Sequence, residues 1–151
     1  MRLKQSLFTL VIAGSLVLAG CSGSGDGEAA SSEAGAEAEA TDGIRIVAPD
    51  EGAAIQAAGA TDLIVLDVRT AEEFAEGHLD GAIMIDFYAE DFADQLAELD
   101  PNASYLLYCR SGNRSGQTTG IMADLGFADV AEVDGGIVAW SDAGLEVVPG
   151  S

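Results

Sequence analysis

Short apolar runs alternating with helix-forming stretches predict an α/β fold in which helices flank a mainly parallel central sheet. Three observations carry this. Residues 63–67, Leu-Ile-Val-Leu-Asp, form a continuous apolar run bounded by polar residues, as in a strand covered on both faces. Residues 49–58 open with Pro, Asp and Glu and stop at Gly59, the punctuation of a helix. Residues 105–108, Tyr-Leu-Leu-Tyr, run into a glycine-containing loop, after which Ile121, Met122 and Leu125 recur at helical spacing.

The remaining elements follow in order. Residues 44–47 read as the first strand. Residues 71–76 read as a short helix stopped by Gly77, and residues 83–85 as a brief strand. Residues 89–99 are expected to be helical, with Phe92, Leu96 and Leu99 on one side. Pro101 and Asn102 break the chain before the strand that ends at Tyr108. Residues 117–125 are expected to form the next helix. Residues 130–133 then read as a strand, Gly135 and Gly136 as a turn, and the last helix runs through Trp140.

The first 41 residues read differently. Arg2 and Lys4 give a charged start, residues 7–18 are an apolar stretch too short to span a bilayer as a helix, and Ala19-Gly20-Cys21 closes it. This end resembles the lipobox of bacterial lipoproteins. The resemblance implies cleavage before Cys21 and its lipidation, which would anchor the chain to a membrane stably if two or more acyl chains are attached. The alternative is an ordinary secretory signal with a coincidental cysteine; both readings place the domain outside the cytoplasm. Residues 22–41 contain only Ser, Gly, Ala, Glu, Asp and Thr, so nothing there can build a core. They are expected to be a self-repelling tether reaching about 25 Å on average. The folded domain is expected over residues 42–151, enough for one layered core.

The formal net charge is −20, and all 26 acidic residues follow Cys21. Beyond that point four arginines and no lysine remain, a balance of −22. This excludes a nucleic-acid binder, which needs cations to neutralise phosphates. It favours a soluble monomer and repels anionic partners at low salt.

Cys109-Arg110-Ser111-Gly112-Asn113-Arg114-Ser115 lies where a strand becomes a loop and the loop a helix. There, backbone N–H groups and a helix N-terminus can converge on one point and favour negative charge. A thiol at that point should have its pKa lowered, with Arg110 and Arg114 adding positive charge. A buried structural cysteine is the bland alternative, but it needs neither the loop nor two arginines within five residues.

Over residues 44–148 the chain resembles a single rhodanese-like (sulfurtransferase) domain. The matching pieces are Leu66-Asp67-Val68-Arg69, Glu72-Glu73-Phe74, Gly77-His78-Leu79-Asp80-Gly81-Ala82, the Cys109 loop, Gly126-Phe127, and Gly135-Gly136 followed by Trp140. It departs at Asp80, where proline is usual, and at Glu146, where the closing segment often has one. The resemblance implies a three-layer fold and a Cys109 persulfide that moves sulfane sulfur from a donor such as thiosulfate to a thiol or cyanide acceptor. It makes Arg110, Ser111, Gly112, Asn113 and Arg114 the substrate-binding loop. Arg110 is expected to meet the donor's anionic end, while Arg114 either braces the loop or touches substrate. Asp67, Arg69 and Ser115 are expected to support the loop, the first two as an ion pair.

Loop length separates this reading from cysteine phosphatases, whose loops are seven residues long; here Cys109 to Arg114 is six. One residue less removes roughly 3.5 Å of contour. Thiol–disulfide exchange lacks a resolving partner for Cys109 if Cys21 is acylated. His78, the only histidine, is expected to hold backbone groups in its turn rather than act as a base. With one histidine and no clustered cysteines there is no metal-ligand pattern, and no cofactor is implied. A non-catalytic module that uses the same fold to bind a partner at the membrane is the second function class.

Overall fold

The computed structural model describes residues 43–150; the expected signal, Cys21 and tether lie outside them. Five strands alternate with five helices: β1 (Gly43–Val47), α1 (Pro49–Ala58), β2 (Leu63–Asp67), α2 (Ala71–Glu76), β3 (Ile83–Met84), α3 (Phe92–Ala97), β4 (Ser104–Tyr108), α4 (Asn113–Asp124), β5 (Asp129–Val133) and α5 (Gly136–Asp142). The strands form one sheet in the order β1-β5-β4-β2-β3, and every pairing is parallel. The α/β class expected from the alternating runs is the fold observed.

Alternation along the central strands divides the core in two. Tyr105, Leu107 and Val130 face a layer that includes Phe92 and Leu96 of α3, Met122 of α4 and Phe127. Leu106, Tyr108, Ala131 and Val133 face the opposite layer, with Ile137 and Trp140 of α5 and Ala53 and Ile55 of α1. Gly52 lets α1 approach closely, because a Cβ there would lie 3.2 Å from the Trp140 ring and 3.4 Å from Leu106. Helices therefore cover both faces, giving three layers.

Two helix boundaries differ from the sequence reading. Helix α4 begins at Asn113, not near Gln117. Its first turn is polar because Arg114 and Ser115 face the loop rather than the apolar core, so hydrophobic periodicity starts only one turn later. Helix α3 spans only Phe92–Ala97, since Ala89 and Phe92 sit in successive turns closed onto Asp86 and Ala89 carbonyls.

The parallel arrangement brings the carboxyl ends of the three central strands together. Asp67 closes β2, Cys109 follows β4, and Glu132 to Gly136 lead out of β5. Ligands in such sheets bind outside these strand ends.

Candidate active site

Cys109 leaves β4 and its side chain turns toward the first turn of α4. Its Sγ accepts a hydrogen bond from the Gly112 N–H at 3.1 Å and lies 3.4 Å from the Ser115 hydroxyl. Burial alone would raise the thiol pKa, but the Ser115 hydroxyl and the N–H groups of Ser115, Ser111 and Arg114 more than offset it. The net direction is downward, toward the thiolate. Cys109 is only 1% exposed.

The loop adopts this form because its carbonyls are tied elsewhere. The Ile137 N–H donates to the Cys109 carbonyl at 2.9 Å and the Val138 N–H to that of Arg110 at 3.2 Å. These donors come from the first turn of α5, which is held against the loop by Gly136 at φ +61°. A Cβ at Gly136 would lie 2.4 Å from the Cys109 carbonyl oxygen, so no larger residue fits. Gly112 supplies the second left-handed residue, φ +91°, where the loop turns into α4.

The two loop arginines have different surroundings. Arg114 forms a bidentate pair with Glu73, Nη1 to Oε2 at 2.6 Å and Nη2 to Oε1 at 2.8 Å. Its guanidinium also lies 5.7 Å from the ring of exposed Tyr88. Glu73 belongs to the Thr70 capping box at the start of α2, so this pair fastens the Cys109 loop to α2. The side chain of Arg110 is exposed and, among the described residues, has no ion-pair or hydrogen-bond partner. It lines a cleft of about 400 Å³ with Arg69, Glu73, Glu76, Ile137 and Val138.

Asp67 and Arg69 form a buried pair: Arg69 Nη2 reaches Asp67 Oδ2 at 2.7 Å and donates to the Gly77 carbonyl at 2.6 Å. The Arg69 guanidinium also sits 5.6 Å from the Tyr108 ring. With Arg69 4% exposed, the pair ties the end of β2 to the turn at Gly77. The His78 ring stacks on Phe74 with centroids 3.9 Å apart, and its backbone pairs with Val148. Asn113, expected among the substrate contacts, turns its side chain along α4 to Gln117 at 3.1 Å. Ser111 is exposed at the loop tip. Among the described residues no cluster of ligating side chains could hold a metal.

Two participants escape the sequence reading. Glu73 stands 41 positions from Arg114. Glu132, in β5, is 5% exposed and accepts a hydrogen bond from Ser115 at 2.6 Å. A lone carboxylate inside the run Val130-Ala131-Glu132-Val133 is the signal that could have found it.

Fold and loop together define a class: an α/β domain whose one described cysteine sits in a ring of amides at the carboxyl end of the central strand. The family model of the rhodanese-like domain matches residues 48–143, and the chain belongs to that family. It is similar to a thiosulfate sulfurtransferase GlpE from Pseudomonas entomophila, 32% identical over 94 residues that cover 62% of this chain and 82% of the relative. A sulfurtransferase from Allochromatium vinosum is 31% identical over 87 residues, covering 58% and 79%. Among solved structures, a rhodanese-related protein from Thermoplasma volcanium has a TM-score of 0.60 at 26% identity, covering 69% of this chain and 97% of that one.

The Glu73–Arg114 pair makes a pH prediction. The Arg114 guanidinium holds the Glu73 carboxyl down to about 2, from an ordinary value of 4.5. A depressed carboxyl pKa stabilises the fold above the unfolded value, and that contribution fades as pH falls from 4.5 toward about 2. With both side chains partly solvated, Glu73→Gln should cost about 1 to 2 kcal/mol at neutral pH. Urea denaturation of both proteins should show that difference shrinking steadily on acidification; a difference independent of pH would contradict the assignment.

Proposed function

We propose that this protein is a sulfurtransferase in which Cys109 carries sulfane sulfur as a persulfide. The observation that carries the reading is the orientation of the Cys109 sulfur into the loop amides, with the Gly112 N–H at 3.1 Å. Membership of the rhodanese-like family and similarity to sulfurtransferases support it. The Cys109 thiolate attacks the outer sulfur of a donor such as thiosulfate. A bond from Sγ to that sulfur forms, the donor's S–S bond breaks, and sulfite leaves with the electron pair. The charge of the resulting persulfide falls among the N–H groups of residues 111–115, as an oxyanion falls among its donors. Attack by cyanide or a thiolate on the outer sulfur then returns the Cys109 thiolate.

Within this reading the unpaired Arg110 binds the anionic end of the donor, and Arg114 serves as a brace because Glu73 occupies its fork. Thiosulfate as the donor is supported by the name of the GlpE relative. Anchoring at an extracytoplasmic membrane face is supported by the charged start, the apolar stretch and Ala19-Gly20-Cys21. A second reading, a non-catalytic binding module, is favoured by the 1% exposure of Cys109.

Mass spectrometry of the chain after exposure to thiosulfate decides between them. The sulfurtransferase reading expects one added sulfur on Cys109, removed by cyanide and absent in Cys109→Ser; no gain from any donor tried would leave the binding module. Cys21→Ser should release the protein from the membrane fraction of its producing cells. Retention of that variant on the membrane would contradict lipidation at Cys21.

A further inference from the structure

The mechanism above leaves one buried titratable group unused. Strand β5 alternates its side chains between the two layers, and Val130 and Glu132 point to the same side as Cys109. Glu132 thus occupies a position where alternation calls for an apolar residue. Its carboxylate is 5% exposed, and among the described residues no cation pairs with it. From α4 it faces the Ser115 hydroxyl, and Gly116 leaves space beside it, a Cβ there falling 3.7 Å from Oε1. Cys109, after β4, lies on the far side of that hydroxyl. From β1 the register partner is the apolar Ile46, while Arg45 is taken up by Asp129. On its own chain, Asp134 is near enough to disfavour a second negative charge.

Ser115 has one hydroxyl proton and three acceptors within reach: Glu132 Oε1 at 2.6 Å, the Gly112 carbonyl at 3.2 Å and Cys109 Sγ at 3.4 Å. It cannot serve them all. If the carboxylate is ionised, the Ser115 proton is drawn to it and the sulfur keeps only the amides. If the carboxyl is protonated, it donates to Ser115 Oγ, and Ser115 is then free to donate to the thiolate.

The geometry points to Glu132 as the residue that sets the ionisation of Cys109 through the Ser115 hydroxyl. An ionised Glu132 holds the Ser115 proton and keeps a negative charge beside the loop, so the thiol retains its proton; a neutral Glu132 leaves the Ser115 proton to the thiolate. Only protons exchanged with solvent are involved, with no change of oxidation state. Burial of Glu132 favours the second state, since it disfavours the carboxylate. Glu132 is a positioning residue, since it touches the sulfur only through Ser115. The assignment rests on Cys109 being the nucleophile, but it concerns ionisation and is tested without sulfur transfer.

The test is the rate of Cys109 alkylation by iodoacetamide across pH, mapped by mass spectrometry in the full chain and its variants. Because two coupled groups share the titration, the wild-type profile should rise in two steps. Glu132→Gln keeps the shape and removes the charge. It should leave one step, displaced to lower pH, with alkylation at least about tenfold faster between the two midpoints, equivalent to one pKa unit. In a Ser115→Ala background, the shift caused by Glu132→Gln should shrink by more than half. A Glu132→Gln profile that superposes on wild type, or a shift fully retained without the Ser115 hydroxyl, would overturn the assignment. Should Glu132→Gln lose the native Trp140 fluorescence, Ser115→Ala alone decides: collapse of the two steps into one supports the assignment, and two steps at unchanged separation overturn it.

Discussion

The site depends on which way one loop's peptide groups face. A backbone that presents several N–H groups to a single point must send the matching carbonyls elsewhere, and buried carbonyls need partners. Here the partners are the Ile137 and Val138 N–H groups at the start of α5, which accept no other role in the helix. The helix N-terminus thus takes the loop's carbonyls and leaves the amides to Cys109. Gly136 is the point of closest contact, and its missing side chain is what allows the two segments to meet. The position of the Cys109 sulfur, just after β4, is in this way set by a glycine twenty-seven positions along, with one helix and one strand, α4 and β5, between them.

Charge is organised around the same point. The chain is strongly acidic, and its described cations are few enough to have separate tasks. Arg69 is consumed inside by Asp67, which leaves neither charge buried alone. Arg114 is consumed by Glu73, whose position is fixed by its own capping of α2. Arg45 sits with Asp129 at the sheet edge. Arg110 is left to present positive charge to the cleft beside the loop. A small cationic spot in a negative surround attracts an anion only at short range, since salt screens the wider field within about 8 to 10 Å at physiological ionic strength.

Much of this was legible in the residues, for local reasons. The central strands β2 and β4 are covered on both faces, so they read as nearly unbroken apolar runs, and the helices carry glycine stops such as Gly59 and Gly77. The loop was legible because its glycine, its arginines and its cysteine lie within seven residues, and Asp67 and Arg69 because they are two apart. The start of α4 was not, because its first turn faces sulfur rather than the core and carries no apolar period. The division of labour between the arginines was equally hidden, since it depends on Glu73 from another helix. Glu132 was visible only as an acid in an apolar strand; that it meets Ser115 follows from the pairing of β5 with β4.

The account turns on hydrogen bonds from the loop amides to an ionised sulfur, and these can be observed one amide at a time. Proton–nitrogen correlation spectra recorded through the Cys109 titration should show the Gly112 N–H proton moving downfield as the thiolate forms, at a pH below the ordinary thiol range. The amides of Ser111, Arg114 and Ser115 should move with it, and none should move in Cys109→Ser. A Gly112 resonance that stays fixed while Cys109 ionises would contradict the account.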